Sequence, residues 1–574
     1  MNKHVTNSAT LWAETAVAAL VGAGLRAVCV APGSRSTALV LAFSAHPDVT
    51  VYRHLDERSA GFFAVGMALA LDRPVALLST SGTATANFFP AIIEARMAQV
   101  PLLALTADRP PELRHSGANQ TIDQIRLYGE QVLWSVDVPL PEREPPDVAL
   151  RNLRALMVRA WARADGLTKG PVHLNFPFRK PFEPQGGDEK DIRFLQEIGY
   201  PPRIVTGRPA PPEETVEEIA SLVEEHERGL IVCGPRCPGG EFPEVVAALS
   251  RRSGYPIVAD ALSGVRYGPW VKDAVVIGGD IRFLGEIGYL KAADLILRFG
   301  AAPTSKELNA YLAREELDIV HVRGNGVWAD ESHRTGLFVQ ADEVLTCRQL
   351  IDRLPERGGS DWQQAVGERE EAYQAALSEA LEGEFFDGVV VRDVVELLPD
   401  GALLFAGSSL PVRHLDEFGA PVAKRLHTFA NRGASGIDGN ISTGLGIAVA
   451  RRAPVTMVVG DVTFYHDMNG LLAAGAHELA ATIVLLNNGG GGIFRRLPVA
   501  QFEPPFTELF LTPHGLDFTH AARMYGFDHV RVEDDDAFRR HFAAAVAQPG
   551  RRIIEVVTDG ERDYERRREV MRAV

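Results

Sequence analysis

Two segments near the end of the chain carry groups that could bind a divalent cation and a diphosphate. A Gly-Asp pair ending at Asp461 follows the apolar run 455–459, and 25 residues further on the run 483–487 leads into an Asn-Asn pair ending at Asn488 and then four glycines. Ligands of parallel sheets bind at the carboxyl ends of strands. A carboxylate, an amide oxygen and backbone carbonyls suit Mg²⁺ or Mn²⁺, and glycines let the backbone approach a phosphate. We therefore predict a metal site made by Asp461, Asn488 and Gly490.

The spacing of these pairs resembles the cofactor signature of thiamine diphosphate-dependent enzymes. A turn after a strand or a flexible glycine loop would explain either half alone, but the two halves at this separation form a specific pattern. Val462 departs from the family pattern, which often has glycine at that position. The groups that would face the metal are unaffected, so the resemblance predicts thiamine diphosphate with Mg²⁺ or Mn²⁺ as the cofactors.

Glu57 is the candidate catalytic carboxyl group. It follows the apolar run 49–54 and precedes a helix of small residues. A glutamate at a helix start is ordinarily a surface residue favoured by the helix dipole. In the thiamine family, however, a glutamate of the first domain hydrogen-bonds the aminopyrimidine ring of the cofactor. We expect Glu57 to do so from a dry pocket that favours its protonated form.

The elements that must position these groups alternate between strands and helices, in three blocks. Alternating strands and helices favour doubly wound α/β domains with parallel sheets. We predict a pyrimidine-binding domain at 1–184, a central domain at 205–355 and a diphosphate-binding domain at 385–574. A proline- and glycine-rich linker follows the first block, and the charged stretch 356–384 is predicted to be a largely helical connection. The predicted strands are 27–31, 49–54, 74–79, 102–106, 230–233, 257–259, 295–299, 319–322, 403–406, 426–429, 455–459, 483–487 and 553–557.

Composition excludes several other classes of protein. The chain has 574 residues with 59 Lys+Arg against 75 Asp+Glu, a net charge of −16, which argues against a nucleic-acid partner. Four cysteines without paired spacing give no support for a zinc site or a disulfide framework. No basic leader and no run of 18 apolar residues is present. These features predict a cytoplasmic enzyme.

Further motifs narrow the resemblance to one family. Its members are the 2-succinyl-5-enolpyruvyl-6-hydroxy-3-cyclohexene-1-carboxylate synthases of menaquinone biosynthesis, called MenD. The resemblance spans all three blocks but is weak between about 185 and 290. The motifs that carry it are 32–37 (PGSRST), 107–113 (ADRPPEL), 117–122 (GANQTI) and 431–438 (NRGASGID).

Membership of this family would imply both the reaction and the assembly. The enzyme would decarboxylate 2-oxoglutarate and add the resulting succinyl-semialdehyde carbanion to isochorismate. Its members form homodimers or dimers of dimers, with the site between two chains. Both substrates carry two carboxylates, so a chain of net charge −16 needs local cations to bind them, and arginine is the better bidentate partner.

The resemblance also implies roles for individual residues. With 51 arginines against eight lysines, a single arginine says little unless it lies in a motif. Gln120 is also expected to hydrogen-bond a reaction intermediate, Ile437 to support the cofactor, and Ile493 and Phe494 to form an apolar wall. Substrate-binding positions are matched by Ser34, Arg35, Arg109, Gln120, Lys306 and Arg413. Positions around the cofactor are matched by Glu57, Ser409, Arg432, Ser435, Ile437, Asp461, Asn488, Gly490, Ile493 and Phe494.

Several alternatives remain open at this point. Acetohydroxyacid synthase or a plain 2-oxoacid decarboxylase would use the same cofactor, but the former usually binds FAD and the latter commonly carries adjacent histidines, which this chain lacks. A non-catalytic thiamine-binding regulator would not need Glu57. A serine hydrolase is disfavoured because no Gly-x-Ser-x-Gly occurs, and a nicotinamide enzyme because Gly444 and Gly446 lack a third glycine.

Overall fold

The computed structural model of the chain describes residues 7–184, 202–278 and 293–574. Contacts between residues divide it into two compact units. The first comprises Met1–Gly207, Asn431–Ala453 and His466–Leu479, and the second comprises Arg208–Ala430, Pro454–Tyr465 and Ala480–Val574. Most of the predicted linker, 185–201, lies outside the described residues.

Eighteen described strands form three six-stranded sheets, and all pairings within them are parallel. The first sheet contains β1 (Ala27–Val30), β2 (Thr50–Arg53), β3 (Val75–Ser79), β4 (Leu102–Asp108), β5 (Trp134–Asp137) and β6 (Pro171–Pro177). The second contains β7 (Gly229–Cys233), β8 (Ile257–Ala259), β9 (Val276–Ile277), β10 (Leu295–Phe299), β11 (Asp318–Val322) and β12 (Leu337–Val339). The third contains β13 (Ala402–Ala406), β14 (Leu426–Phe429), β15 (Val455–Gly460), β16 (Ala481–Asn487), β17 (Asp528–Val532) and β18 (Arg551–Val557).

Helices connect most of these strands. In the first unit they are Ser8–Ala23, Thr37–Ala45, Glu57–Leu71, Thr83–Ala86, Phe89–Met97, Asp147–Ala164, Asn440–Arg451 and Leu472–Ala476. In the second unit they are Glu213–Glu225, Phe242–Ser253, Lys306–Leu312, Glu343–Arg353, Asp361–Ala380, Asp387–Leu397, Leu410–Phe418, Thr519–Tyr525, Asp535–Ala547 and Gly560–Ala573. The helix Asp461–Asp467 begins in the second unit and ends in the first.

The strand order explains where binding groups gather. The first sheet has the order β2-β1-β3-β4-β6-β5, and the third repeats it as β14-β13-β15-β16-β18-β17. The chain therefore leaves β1 and β3, or β13 and β15, towards opposite sides, which opens a crevice at their carboxyl ends. The second sheet, β12-β11-β10-β7-β8-β9, has its switch point between β7 and β10. The predicted α/β class with parallel sheets is confirmed.

Apolar runs identified most of the central strands, because both faces of a parallel sheet are covered. Every residue of β3, β4 and β6 is buried. The strands that the sequence did not predict are β5, β6, β9, β12 and β17. Of these, β5 and β17 lie at sheet edges and are only partly buried, so their hydrophobic signal is weak.

Two helices of the first unit pack through glycines. A Cβ atom on Gly66 of Glu57–Leu71 would lie 2.0 Å from the Thr443 carbonyl oxygen, and one on Gly446 of Asn440–Arg451 would lie 2.0 Å from the Phe63 carbonyl oxygen. Neither neighbouring atom can rotate away, because both belong to the backbone. The close approach requires glycine at both positions.

We expect Gly66→Ala to destabilise the fold by about 1–3 kcal/mol, since the helices must separate to admit a methyl group. Thermal or urea unfolding measures this loss. Gly367→Ala is the matched control because its Cβ would lie 3.4 Å from a Val275 side-chain atom. Alanine there should be neutral or stabilising through its helix propensity. Equal stability of Gly66→Ala and the unmodified protein would contradict the close packing.

Three buried histidines make the fold sensitive to acid. Burial lowers the pKa of His54 to about 3, of His173 to about 4 and of His321 to about 3. These groups are neutral when folded but protonate near their usual pKa when unfolded. The unfolded chain therefore binds more protons below about pH 6.5, and the stability that these residues contribute is lost as the pH falls towards 4.

We expect His54→Phe to reduce this sensitivity by up to about 1.4 kcal/mol per pH unit between pH 6.5 and 4. His54 packs edge-on against Phe63, with ring centroids 4.6 Å apart, so a phenyl ring suits the site. Urea unfolding at several pH values gives the slope for each variant. Replacing the exposed His541 by phenylalanine should leave the slope unchanged. Parallel slopes for His54→Phe and the unmodified protein would refute the assignment.

Within the described residues, no helix is long and apolar enough to cross a membrane.

Candidate active site

Asp461 lies at the carboxyl end of β15, at the switch point of the third sheet. Its carboxyl group is buried, with Oδ2 accepting hydrogen bonds from the backbone N–H groups of Gly489 (2.8 Å) and Gly490 (2.9 Å). The Nε2 atom of His514 lies 3.2 Å from the same oxygen. Burial raises the pKa of Asp461, with the hydrogen bonds and His514 acting in the opposite direction. A cation beside this carboxylate would offset the cost of its burial.

Asn488 follows the neighbouring strand, β16. Its Oδ1 atom is buried and accepts no hydrogen bond within the described part of the chain. An amide oxygen in that state is costly unless a ligand meets it. The buried carboxylate of Asp461 and the unpartnered oxygen of Asn488 are hard oxygen ligands, so the residues present fit a divalent cation.

The glycine loop brings the backbone close to these groups. Gly489 and Gly490 have φ values of +81° and +150°. A Cβ atom on Gly490 would lie 2.1 Å from the Leu511 carbonyl oxygen, so no larger residue fits. The Gly490 carbonyl accepts a hydrogen bond from the Gly492 N–H (2.9 Å) and keeps a second lone pair. The Gly490 carbonyl oxygen can therefore still bind the predicted metal ion.

Ser409 and Arg413 lie at the other side of the same switch point, after β13. Ser409 has φ +75°, and its carbonyl accepts a hydrogen bond from Arg413 Nη1 (2.6 Å). Arg413 belongs to the helix Leu410–Phe418, which is held at its far end by Arg266. The buried Arg266 guanidinium donates to the Asp416 carboxylate at 2.6 Å. Arg413 therefore extends from a rigid helix.

Lys306 is exposed as the first residue of the helix Lys306–Leu312, beyond β10 of the second sheet. No hydrogen bond joins it to another predicted site residue within the described ranges. Ile493 and Phe494 lie in the 3-10 turn Gly492–Arg496 and are partly buried, with the Phe494 ring 5.6 Å from that of Phe510. The predicted apolar wall thus continues into a small aromatic cluster.

In the first unit, two arginines converge near the switch point of the first sheet. Arg35 donates from Nη1 to the Phe178 carbonyl (2.8 Å), and its guanidinium lies 4.6 Å from the Phe182 ring centroid. Burial lowers the pKa of Arg35 to about 10, with the positive charge of Arg109 adding to the shift and Asp108 opposing it. Two neighbouring cations in a partly dry setting are suited to a dianionic ligand.

Ser81 connects Arg109 to Gln120. The Arg109 guanidinium donates to the Ser81 hydroxyl and to the Asn119 carbonyl (2.9 Å), and Gln120 Nε2 donates to the Ser81 carbonyl (2.8 Å). Gln120 is exposed and has φ +54°. Ser81 was missed from the sequence, although it lies two residues after β3, near the carboxyl end of that strand.

Ser34 begins the 3-10 turn Ser34–Ser36 after β1 and is exposed. A Cβ atom on the preceding Gly33 would lie 2.2 Å from Thr80 Cβ, so glycine lets the two loops approach. The backbone N–H of Arg35 donates to Thr80 Oγ1 at 3.3 Å. The structure therefore brings the loops after β1 and β3 together, with Ser34 at their surface.

Glu57 is the first residue of the helix Glu57–Leu71. Asp56 caps this helix by accepting hydrogen bonds from the N–H groups of Arg58 and Ser59, and Asn469 donates to the other oxygen of Asp56. Glu57 is partly exposed and accepts no hydrogen bond in the described ranges of the chain. The cap thus fixes the backbone at Glu57 and leaves its carboxyl group free to meet a ligand. The expected dry pocket needs a further covering surface.

Glu94 organises the loop that carries Arg432, Ser435 and Ile437. Its buried carboxylate accepts hydrogen bonds from the N–H groups of Gly433 (2.7 Å), Ala434 (2.7 Å) and Ser435 (3.3 Å). Burial raises its pKa, and these bonds oppose the shift. Sequence reasoning missed Glu94, since a glutamate inside Phe89–Met97 gives no local signal of a partner more than 300 residues away.

Family models for thiamine pyrophosphate enzymes match three parts of the chain. The N-terminal TPP binding domain matches residues 12–127, the middle domain 210–406 and the C-terminal TPP binding domain 417–556. These matches cover the loops that carry Glu57, Lys306 and Asp461.

Several similar curated proteins carry the name 2-succinyl-5-enolpyruvyl-6-hydroxy-3-cyclohexene-1-carboxylate synthase. The protein of Roseiflexus castenholzii is 55% identical over 99% of each chain. Those of Haloarcula marismortui and Geobacillus kaustophilus are each 44% identical over 96% of both chains. Among solved structures, benzoylformate decarboxylase from Polynucleobacter necessarius has a TM-score of 0.73 at 18% identity, with 97% of this chain and 99% of that one covered. This likeness concerns the fold.

Proposed function

The chain belongs to the MenD family, the 2-succinyl-5-enolpyruvyl-6-hydroxy-3-cyclohexene-1-carboxylate synthases, and on that premise we propose how its residues perform the reaction. It is a thiamine diphosphate-dependent transferase of menaquinone biosynthesis. It decarboxylates 2-oxoglutarate and adds the remaining four-carbon unit to isochorismate. The observation that carries this function is the identity of 55% over 99% of both chains with a curated synthase.

The cofactors are thiamine diphosphate and a divalent metal, Mg²⁺ or Mn²⁺. Asp461, Asn488 and the Gly490 carbonyl would hold the metal, and the glycine loop would lie against the diphosphate. Bound thiamine diphosphate supplies the electron sink that allows a 2-oxoacid to lose CO₂. The buried Asp461 carboxylate and the unpartnered Asn488 oxygen support this assignment.

Glu57 would hold and move the proton that activates the cofactor. Glu57 is the first residue of a capped helix, so its backbone is fixed. Its carboxyl group accepts no competing hydrogen bond in the described ranges. Arg432, Ser435 and Ile437 would line the cofactor from the loop that Glu94 fixes, with Ile437 supporting it. Ser409 would contact it from the switch point of the third sheet. Ile493 and Phe494 would exclude water.

The carboxylates of both substrates would be bound by cations. Arg35 and Arg109 are adjacent and partly desolvated, which strengthens their hydrogen bonds to an anion. Arg413 and Lys306, which belong to the second unit, would each bind a substrate carboxylate, and Ser34 would contribute a hydroxyl group. Gln120 would hydrogen-bond an intermediate from the loop that it shares with Ser81.

We further propose an assembly of two or four copies, with each site formed between chains. The partial exposure of Glu57 supports this, since a second copy would supply the covering surface that a dry pocket needs. The chain would have three domains. Residues 1–184 would form the pyrimidine-binding domain, 205–355 the central domain and 385–574 the diphosphate-binding domain. The protein would act in the cytoplasm, where its four free cysteines stay reduced. Light scattering on eluted protein tests the assembly, and a monomer at working concentration would contradict it.

The direct test of function is product analysis. Protein loaded with thiamine diphosphate and Mg²⁺ is incubated with 2-oxoglutarate and isochorismate, and the products are identified by mass spectrometry. The synthase product is expected. Pyruvate in place of 2-oxoglutarate is the control, because it lacks the second carboxylate that the arginines would bind. Equal conversion of pyruvate would favour a broad 2-oxoacid carboligase.

Arg109→Leu should raise the KM for one of the two acids by about 10- to 100-fold, the effect of losing a charged hydrogen bond. The fold should be retained, because Arg109 is partly exposed. Initial rates with each acid varied in turn show which substrate is affected. Arg143→Leu, at an exposed arginine of the same sheet domain, is the control. An unchanged KM for both acids would remove Arg109 from the site.

A further inference from the structure

The direction of the Asn488 amide needs a structural cause. Its oxygen and nitrogen have nearly the same size and can exchange places by a half-turn of the side chain. Only one orientation puts the oxygen towards a metal. If the protein did not fix the amide nitrogen before the metal binds, the metal alone would have to select this orientation of the amide over the flipped one.

Asp387 lies where it can fix that nitrogen. It is the first residue of the helix Asp387–Leu397, 101 positions before Asn488 in the chain, and only 1% of it is exposed. Its Oδ2 accepts a hydrogen bond from Asn488 Nδ2 at 3.2 Å, and its Oδ1 accepts one from the Thr558 hydroxyl at 3.1 Å. Both oxygens of Asp387 thus act as hydrogen-bond acceptors, and the group that Asn488 turns towards Asp387 is its NH₂ group.

We propose that Asp387 is a positioning residue for the metal site: by holding Asn488 Nδ2 it leaves Asn488 Oδ1 unpartnered and aimed at the cation. The described residues agree with this role, because that oxygen is the group of Asn488 left buried without a partner. Asp387 itself would not touch the metal. A residue that hydrogen-bonds a metal ligand without touching the metal is an outer partner of that ligand. Outer partners orient the ligand and increase the affinity for the metal.

The C-terminal helix Gly560–Ala573 supports Asp387 from the other side. Its Asp563 carboxyl group lies in hydrogen-bonding contact with Asp387. Burial, followed by the negative charge of Asp387, raises the pKa of Asp563 to about 9. The hydrogen bond from the Thr558 hydroxyl holds the Asp387 carboxyl group, which in turn binds the Asn488 amide nitrogen.

Mn²⁺ binding tests the proposal without any turnover. Electron paramagnetic resonance measures free Mn²⁺ in titrations of the protein with saturating thiamine diphosphate. We expect Asp387→Leu to raise the Kd for Mn²⁺ by about 10- to 100-fold, the usual effect of losing an outer partner of a metal ligand. Asp387→Asn keeps an oxygen that can accept from Asn488, so it should recover most of the affinity.

The matched control lies on the same helix. Asp393 is also a buried carboxylate, but it pairs with Arg392 and Arg539 instead of Asn488. Asp393→Leu should leave the Mn²⁺ affinity of the folded protein unchanged. An affinity of Asp387→Leu within about twofold of the unmodified protein, or an equal loss in Asp393→Leu, would overturn the proposal, because an outer-partner effect is far larger.

A second variant decides the matter where Asp387→Leu does not fold. Thr558→Val removes the hydrogen bond to Asp387 Oδ1, together with the contact of the Thr558 hydroxyl with Asp563, and should weaken Mn²⁺ binding several-fold. Unchanged binding would overturn the role. The inference rests on the proposed metal site, and the same titration separates the two. No Mn²⁺ binding by the unmodified protein would refute the metal site itself. Normal binding that Asp387→Leu does not alter would refute only the role of Asp387.

Discussion

Replacing Glu57 by glutamine is expected to lower turnover by about 100- to 10,000-fold, the range that a positioned acid–base group contributes. Glutamine keeps the shape of the side chain but cannot give up or take a proton at neutral pH. The fold should be unaffected, because Glu57 is partly exposed on the first turn of its helix and Asp56 provides the cap. The measurement is the steady-state rate with both acids and saturating cofactors.

Two further variants define the cause of that loss. Glu57→Asp keeps the carboxyl group one methylene back and should give an intermediate rate. Asp147→Asn changes an exposed carboxylate at the first residue of the helix Asp147–Ala164 and should leave the rate unchanged. Matching melting temperatures would exclude unfolding as the cause. Full activity in Glu57→Gln would remove this residue from the catalytic role.

Replacing Asp461 by asparagine is expected to abolish the stabilisation that the cofactors give. A ligand present at about 100 times its Kd stabilises a protein by about 2.7 kcal/mol. The unmodified protein should therefore melt at a higher temperature with thiamine diphosphate and Mg²⁺ than without them. Asparagine keeps an oxygen for the N–H groups of Gly489 and Gly490 but lacks the charge that binds the metal.

Asp467→Asn is the control for this effect. Asp467 lies on the same helix, Asp461–Asp467, and is fully buried, but its carboxylate accepts hydrogen bonds from the N–H and hydroxyl groups of Ser442. That variant should keep the cofactor-dependent rise in melting temperature. A full rise in Asp461→Asn would contradict the assignment of Asp461 as the metal ligand.

Most of the central strands, and the residues at their ends, could be predicted from sequence for one physical reason. A strand buried on both faces is a continuous apolar run, and its carboxyl end is marked by a polar or glycine residue, as at Asp461. The central strands β8 and β10 lie at the predicted bounds. The edge strand β17 mixes polar and apolar residues and lacks that signal.

The supporting residues could not be predicted, because their partners are distant in the chain. Asp387 meets Asn488 across 101 residues, and Glu94 meets Gly433 across 339. Each looks locally like an ordinary charged residue of a helix. The individual roles of Arg35 and Arg109 came from a family resemblance, since composition and spacing alone do not distinguish them among 51 arginines.

The consumption of 2-oxoglutarate with and without isochorismate tests the central claim most directly. Purified protein with thiamine diphosphate and Mg²⁺ should consume the acid rapidly only when isochorismate is present. Rapid loss without isochorismate would contradict the synthase and indicate a plain decarboxylase. No loss in either case, from folded protein with bound cofactors, would show that the two substrates are wrong.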